Sequence, residues 1–291
     1  MMLRRIVIGL VALAVPAAAL PGQSVPPAIY TDPAPDPKHP ARMDVLHIPS
    51  GGVEINGVAY VPAGVGPHPV AVLCHGLPGN EKNLDLAQAL RRAGWTVVTF
   101  NYRGSWGSPG QYGFANDLAD VDAVLAYLRT PASVTALGSD TNRMVLIGHS
   151  LGGWVTLMTA AHDKGLIGAA AISPADVGLI GKLPRDAAIK RLEGAGLETL
   201  ATTSAKEADE AAASSDAYDF INVAPGLKRL PLLLLTSDDG LRGPADALGA
   251  SIRKQGGDKV VEVHVATDHS WSDARIRLES EIIRWLDTLP K

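Results

Sequence analysis

The sequence contains a single cysteine, Cys74, among its 291 residues. An intrachain disulfide is therefore impossible, and a structural zinc site built from cysteines is excluded. The chain also lacks an excess of charge: 26 Lys and Arg residues against 30 Asp and Glu give a net charge of −4, so no nucleic-acid partner is expected. Apolar residues make up 46% of the chain, enough for a sizeable core in one α/β domain. This composition favours a small molecule as the partner.

The N-terminus lacks an apolar run long enough to cross a bilayer. Two arginines precede the run Ile6–Val15, which is shorter than the ~20 residues that a membrane span needs. Ala17-Ala18-Ala19 matches the A-x-A pattern of a signal-peptidase site. These features predict a secretory signal over residues 1–19, cleaved near Ala19 or alternatively near Gly22. We expect a secreted or periplasmic protein without a stable membrane anchor.

The rest of the chain divides into a leader and one domain. Residues 20–42 are rich in proline and have too little hydrophobic pattern to pack, which predicts an extended leader. Over residues 43–291, strand and helix patterns alternate, which predicts a mainly parallel sheet covered by helices. An antiparallel edge is expected to come first, made of extended segments at 43–49 and 53–61 with a turn around Asn56-Gly57 or just before it. Residues 175–228 lack a strong strand pattern and predict two or three inserted helices, either a lid or an ordinary long connection.

Ser150 is the candidate nucleophile, because it is the centre of the G-x-S-x-G pentapeptide at residues 148–152. Residues 143–147, which are apolar after Arg143, predict a buried strand before it, and the spacing in residues 151–162 predicts a helix after it. A strand, a sharp turn and a helix form the context that exposes such a serine. The N–H of Leu151, at the start of that helix, would then face a developing oxyanion.

A serine hydroxyl needs a base, and the base needs an acid to orient it. His269 follows the last predicted strand and is the preferred base. His264 is the alternative, but it lies inside that strand, where its ring would be held against the sheet. His149 is next to the serine and is expected to point elsewhere.

The acid is expected at the end of the preceding strand, where the run of leucines is followed by Asp238-Asp239-Gly240. Asp239 is preferred because it reaches farther past the sheet edge and precedes a glycine that permits a turn. Asp238 stays open as an alternative, and Asp176, after the strand that follows the nucleophile, is a third candidate. Any one of these aspartates could be a solvated loop residue, but the order Ser, Asp, His at three successive strand ends is hard to obtain by accident.

Two further loops are expected at the same edge of the sheet. His75-Gly76-Leu77-Pro78-Gly79 follows the first central strand, and its glycines allow the N–H of Leu77 to approach a bound carbonyl. The loop after the next strand carries Tyr102 and Trp106 as candidate substrate contacts. Arg103, in that loop, would bind carbonyls or a carboxylate, and a purely structural connector is the alternative interpretation. The helix at residues 116–129 is expected to turn Asp120 and Asp122 to solvent.

Taken together, these motifs resemble those of the α/β-hydrolase superfamily. The matching segments, which lie within residues 43–289, are HGLPG at 75–79, FNYRGSWGSPG at 100–110, GHSLGG at 148–153, DDG at 238–240 and TDHS at 267–270. The resemblance is closest to the esterase and serine-aminopeptidase-like branch, which is similar to the prolyl-oligopeptidase catalytic domain. The chain has no propeller domain, and its DDG replaces the usual single aspartate, so the choice between the two aspartates stays open.

The resemblance implies an α/β-hydrolase fold with a helical lid. It also implies that Ser150 acts as nucleophile, Asp239 as acid and His269 as base, with the N–H groups of Leu77 and Leu151 forming the oxyanion hole. We expect a serine hydrolase that cleaves a small ester without a metal or an organic cofactor. A peptidase or amidase acting on short peptides is the alternative enzyme. A non-catalytic binding protein on a hydrolase scaffold is the alternative from another class.

Overall fold

The computed structural model describes residues 24–291. The predicted secretory signal and both of its candidate cleavage positions lie outside these residues, so export stays a prediction. The strands of the described part form one sheet. They are β1 (Arg42–Ser50), β2 (Val53–Val61), β3 (His68–Cys74), β4 (Thr96–Phe100), β5 (Ser139–His149), β6 (Leu166–Ile172), β7 (Leu232–Thr236) and β8 (Val260–His264).

The sheet has eight strands in the order β1-β2-β4-β3-β5-β6-β7-β8. Strand β2 runs antiparallel to both of its neighbours, and every pair from β4 to β8 is parallel. The predicted mainly parallel sheet with an antiparallel edge is therefore confirmed. Since parallel strands end at the same edge, the loops after β3, β5, β7 and β8 are brought together there.

The first hairpin turns just before Asn56-Gly57, between the two extended segments predicted at 43–49 and 53–61. Asn56 and Gly57 lie inside β2, where they pair with His47 and Leu46 of β1. The turn is made by Gly51 and Gly52, which both have positive φ, 54° and 83°. A two-residue hairpin loop favours residues that tolerate positive φ, and a Gly-Gly pair does so at lower cost than an Asn-Gly pair.

Helices cover both faces of the sheet. Over the described residues they are α1 (Leu84–Arg92), α2 (Phe114–Leu128), α3 (Pro131–Leu137), α4 (Leu151–His162), α5 (Val177–Gly181), α6 (Arg185–Glu193), α7 (Ser204–Ala213), α8 (Ser215–Tyr218), α9 (Ala224–Leu227), α10 (Arg242–Lys254) and α11 (Arg275–Asp287). The sequence reasoning missed α3 and α10. The signals for α3 were present, since Thr130 caps it, Pro131 begins it and Gly138 ends it in a left-handed conformation.

The central strands are buried on both faces, and this burial fixes their position. In β3, Val70 and Val72 belong to the core that packs against α2 and α4. The alternate residues Ala71 and Leu73 belong to the core that packs against α1 and α11. A strand covered in this way cannot slip by one residue without exchanging its two faces, so the carboxyl end of the sheet is a rigid platform.

The inserted segment 175–228 is more divided than predicted. It contains the five short helices α5 to α9, with two 3-10 turns at Leu197–Thr199 and Phe220–Val223, in place of two or three helices. Helix α7 packs against both α5 and α6. The leader also departs from the prediction, because Ala28 and Ile29 pack on the core and their carbonyls accept hydrogen bonds from Arg92.

Asp120 does not face solvent, as the helical pattern had predicted. Its side chain in α2 is fully buried and accepts hydrogen bonds from the Arg103 N–H at 2.7 Å, from Arg103 Nε at 2.6 Å and from Ser50 Oγ at 2.5 Å. A buried carboxylate is tolerated when donors surround it in this way. The carboxylate therefore joins α2, the loop after β4 and the end of β1, whereas Asp122 is exposed as predicted.

Removing this carboxylate leaves the largely buried Arg103 guanidinium without its partner. We expect Asp120→Ala to lower the free energy of unfolding by about 3–5 kcal/mol. The matched control is Asp122→Ala on the same helix, which removes only an exposed pair with His162 and should cost under about 1 kcal/mol. Urea unfolding followed by tryptophan fluorescence measures both changes. Equal losses in the two variants would contradict the structural role given to Asp120.

Candidate active site

Ser150 lies on a sharp turn between β5 and α4. Its φ of 58° and ψ of −119° place a non-glycine residue in a sparsely populated region, which costs on the order of 1–3 kcal/mol. Close packing holds it there. A Cβ on Gly148 would lie 2.0 Å from the Gly152 carbonyl oxygen, and a Cβ on Gly152 would lie 2.0 Å from the carbonyl oxygen of Cys74. Gly148 is therefore required by the close packing of β5 against α4, and Gly152 by the approach of the turn to the end of β3.

A cavity of about 520 Å³ opens over this turn. Ser150, Asp239 and His269 line it, together with Leu77 and Leu151. The structure thus brings the preferred nucleophile, acid and base together with both candidate oxyanion residues. The inserted segment closes the other side, with Val177, Ile180 and Leu192 among its lining residues. The first part of the insertion therefore lies over the site, where a lid was predicted.

Two backbone donors in the cavity wall have no acceptor. Among residues 24–291, neither the N–H of Leu77 nor the N–H of Leu151 donates a hydrogen bond. Leu151 is the first residue of α4, where the helix itself offers no acceptor and the dipole is positive. Unpaired N–H groups in a partly buried wall are costly, and a bound oxyanion would satisfy both of them.

His269 and Asp239 form a close pair. The His269 Nδ1 lies 2.7 Å from Asp239 Oδ2, and the carboxylate side chain is 4% exposed. Burial by itself raises the pKa of Asp239, but hydrogen bonds from the His269 ring, the Leu241 N–H and Ser237 outweigh it and hold that pKa well below its usual range. The carboxylate therefore stays ionised, and it fixes the tautomer in which His269 Nδ1 carries the proton.

The hydroxyl of Ser150 makes no hydrogen bond to any residue of the described range, including His269. Both side chains nevertheless line the same cavity. The hydrogen bond between a nucleophile and its base is often long before substrate binds and shortens in the reacting complex. The arrangement therefore remains compatible with proton transfer.

The other candidate acids and the alternative base lie elsewhere. Asp238 accepts a hydrogen bond from His264 Nε2 at 3.1 Å, in a pair that does not line the cavity. Asp176 caps α5 by accepting from the Gly178 N–H at 2.9 Å. Burial, followed by the neighbouring Asp219, raises the pKa of Asp176 to about 7. Asp238 and Asp239 therefore belong to two separate His–Asp pairs. The pair that lines the cavity is His269–Asp239.

His149 does not line the cavity, as expected, but its ring contacts the loop of His269. Its Nε2 lies 2.7 Å from the backbone oxygen of His269, and the two rings lie 4.7 Å apart between centroids. Because a carbonyl oxygen only accepts, Nε2 carries the proton. Burial, then the nearby His269, lowers the pKa of His149 to about 4, so the ring is neutral. The position of His149 at the end of β5, one residue before the serine, was the available signal.

Tyr102 and Trp106 do not line the cavity, which corrects the prediction that they contact substrate. Tyr102 is fully buried, and its ring packs edge-on against His75 at 4.7 Å. The indole Nε1 of Trp106 donates to the Pro78 carbonyl at 2.6 Å. Both aromatic residues therefore support the loop that carries Leu77. His75 also helps to hold this loop, as predicted, since its Nδ1 lies 2.7 Å from the Gly76 carbonyl oxygen.

Within residues 24–291, no group of three or more His, Cys, Asp or Glu side chains is arranged to hold a metal ion. In the same range, no helix has the length and apolar character to cross a membrane.

Curated relatives match part of the chain. An uncharacterised 31.7 kDa protein from the traX-finO intergenic region of Escherichia coli is 30% identical over 128 residues, 42% of this chain and 44% of the relative. The quorum-quenching protein AidA of Acinetobacter baumannii is 34% identical over 132 residues, 43% of this chain and 41% of AidA. The chain therefore spans less than half the length of each of these two relatives.

Solved structures match more of it. One match is the carboxylesterase EstE1, cloned from a metagenomic library. The superposition covers 85% of this chain and 90% of the EstE1 chain, with a TM-score of 0.61 and 23% identity. The acylaminoacyl peptidase of Pyrococcus horikoshii covers 85% of this chain and 41% of its own with a TM-score of 0.63 and 18% identity. These likenesses show a shared fold.

A sequence model described as the alpha/beta hydrolase family matches residues 71–278. This range includes the loop of Leu77, the turn at Ser150 and the His269–Asp239 pair. It covers more than half of the chain, and the fold agrees with it. The chain belongs to the alpha/beta hydrolase family.

Proposed function

We propose that this protein is a secreted serine hydrolase that cleaves small esters through an acyl-enzyme intermediate. One observation carries the proposal: a nucleophile candidate, a His–Asp pair and two unpaired N–H groups line a single cavity. Membership of the alpha/beta hydrolase family supports a hydrolase. The signal-like residues 1–19 support export.

In the proposed mechanism, Ser150 Oγ attacks the ester carbonyl and passes its proton to His269. The receiving atom is Nε2, because Nδ1 is held by Asp239. The ionised Asp239 stabilises the imidazolium that results, and the N–H groups of Leu77 and Leu151 stabilise the oxyanion. His269 then donates its proton to the leaving alcohol. Water, activated by the same ring, releases the acid and restores the serine.

An ester is proposed in preference to an amide because an alcohol leaves without the full protonation that an amine requires. Proteins of this fold include one named a carboxylesterase and another named an acylaminoacyl peptidase, and fold alone does not separate the two reactions. Parallel assays with p-nitrophenyl esters and aminoacyl-p-nitroanilides decide between them. A higher kcat/KM for the anilides than for the esters would identify the protein as a peptidase or amidase and contradict the esterase proposal.

The first prediction concerns the nucleophile. We expect Ser150→Ala to lower kcat for p-nitrophenyl butyrate by ~10³-fold or more, because no acyl-enzyme can form. Circular dichroism should show an unchanged fold. A fluorophosphonate probe should label the wild-type protein at Ser150 and leave the variant unlabelled. Retained activity in a folded variant would contradict the mechanism. An inactive, unlabelled wild-type protein would favour the non-catalytic binding protein.

The second prediction separates the two neighbouring aspartates. We expect Asp239→Asn to lower kcat by about three to four orders of magnitude, because the amide no longer favours the required His269 tautomer. Asp238→Asn is the matched control, since Asp238 is adjacent in sequence but pairs with His264. Its kcat should stay within about twofold of wild type, since the exposed pair contributes little. If Asp238→Asn lowered kcat strongly and Asp239→Asn did not, Asp238 would be the acid of the mechanism in place of Asp239.

The third prediction concerns His149 as a positioning residue. We expect His149→Leu to lower kcat by about tenfold to a hundredfold with little change in KM, because the His269 backbone loses its tether. His149→Gln should restore most of kcat, since its side-chain amide can donate to the same carbonyl. Titrating active sites with a fluorophosphonate corrects for misfolded protein. Equal kcat per labelled site in the Leu and Gln variants would show that the hydrogen bond from His149 to the His269 carbonyl does not contribute to kcat.

A further inference from the structure

The cavity over Ser150 is mostly apolar but contains two positive charges. Nine of its fifteen lining residues are apolar, and the carboxylate of Asp239 is 4% exposed and hydrogen-bonded to His269. The two other charged residues of the lining are Lys190 and Arg191, both on α6 of the insertion. A cavity with apolar walls and two cations at one side fits a ligand that has an apolar segment and an anionic end.

Neither cation has a partner in the described part of the chain. Lys190 and Arg191 are exposed, and neither forms an ion pair or a side-chain hydrogen bond with residues 24–291. The two preceding cations of the insertion differ in this respect. Lys182 Nζ lies 2.6 Å from Asp219, and Arg185 Nε lies 2.6 Å from Asp209. Lys206 and Lys228 of the insertion also form no ion pair with residues 24–291, but among these unpaired cations only Lys190 and Arg191 line the cavity.

Nearby acids do not neutralise them. Asp186 lies one turn before Lys190, and Glu193 follows Arg191 by two residues, but neither carboxylate pairs with them. The end of a helix favours cations, which explains why two adjacent ones are tolerated. The helix end does not explain why both cations line the cavity in a chain whose net charge is −4.

The helix that carries these residues is fixed on the body of the protein. Ala188 and Leu192 are buried, at 2% and 1% exposure, and belong to the core that packs against α2 and α4. Residues four apart share one face of a helix, so this face anchors α6. The anchoring places Lys190 and Arg191 reproducibly relative to Ser150, as a specificity subsite requires.

We propose that Lys190 and Arg191 form an anion subsite, and that the preferred substrate is an ester carrying a carboxylate or phosphate separated from the scissile carbonyl by an apolar segment. This inference rests on the proposed serine esterase activity. The anion stays on the substrate and takes no part in bond breaking. Its contribution is to binding, and each exposed charge pair is individually modest.

The experiment compares charged and neutral probes of matched length. Mono-p-nitrophenyl glutarate is compared with p-nitrophenyl pentanoate, and 4-acetoxybutanoate is compared with butyl acetate, so that the anion is tested on the acyl side and on the alcohol side. We expect kcat/KM to favour the charged probe in one of the two pairs. The measured quantity is the ratio of charged to neutral kcat/KM.

The Lys190→Gln/Arg191→Gln double variant should lower that ratio by about fivefold to tenfold, mainly through KM of the charged probe. The matched control is Arg185→Gln, which removes a cation of the same helix that is paired with Asp209 and does not line the cavity. It should keep the wild-type ratio. High salt should lower the ratio in the wild type and change it less in the double variant.

Three results would overturn the subsite: neutral probes preferred in both pairs, a ratio unchanged by the double variant, or an equal loss in the Arg185→Gln control. Failure of the esterase proposal is recognised separately, because the wild-type protein would then hydrolyse neither charged nor neutral probes. In that case calorimetric titration of Ser150→Ala with mono-p-nitrophenyl glutarate still tests the anion. Binding that is weakened by the two Gln substitutions would support the anion subsite. Absence of binding would contradict it.

Discussion

The close approach of the turn after β5 to the end of β3 is the constraint on which the site depends. The contact is so tight that the backbone of Gly152 passes the Cys74 carbonyl where no Cβ fits, and a Cβ on Gly76 would lie 3.0 Å from the Cβ of Ser150. This approach forces Ser150 into its positive φ and begins α4 directly after it. It also brings the loop of Leu77 beside the first turn of that helix. This one packing contact thus helps to place both candidate oxyanion residues in the wall of the same cavity.

A second set of contacts holds the loop of His269 onto this platform. Trp271 is fully buried, and its indole N–H lies 3.2 Å from Ser173 Oγ, which in turn lies 2.8 Å from Ser237 Oγ. Arg275 donates to the Ser270 carbonyl at 3.1 Å and pairs with Asp85 at 2.6 Å. With the tether from His149, the loop is fastened to β5, β6, β7 and α1. Such support matters because proton transfer tolerates little misplacement of the base.

The parts of this arrangement that were predictable are those set by local pattern and chain order. The pentapeptide, the apolar strands and the position of His269 after the last strand are all readable along the chain. The burial of Asp120 was not, because helical periodicity cannot anticipate that Arg103 would reach it from another loop. Asn56 and Gly57 form a good turn pair, yet Gly51 and Gly52 made the hairpin. Tyr102 and Trp106 lie at the correct edge of the sheet, but tertiary packing turned them toward the loop of Leu77.

The inserted segment shows why reaction and selectivity have different origins in this molecule. The reacting groups follow sheet strands whose register is fixed by burial on both faces, so their geometry is insensitive to what covers them. The opposite wall of the cavity comes from α5 and α6, which are short and are held by a few buried side chains such as Ala188 and Leu192. Surface residues between such anchors can change without disturbing the core. In the proposed esterase, substitutions at positions such as 190 and 191 would therefore alter which ester is bound and leave the attack by Ser150 unchanged.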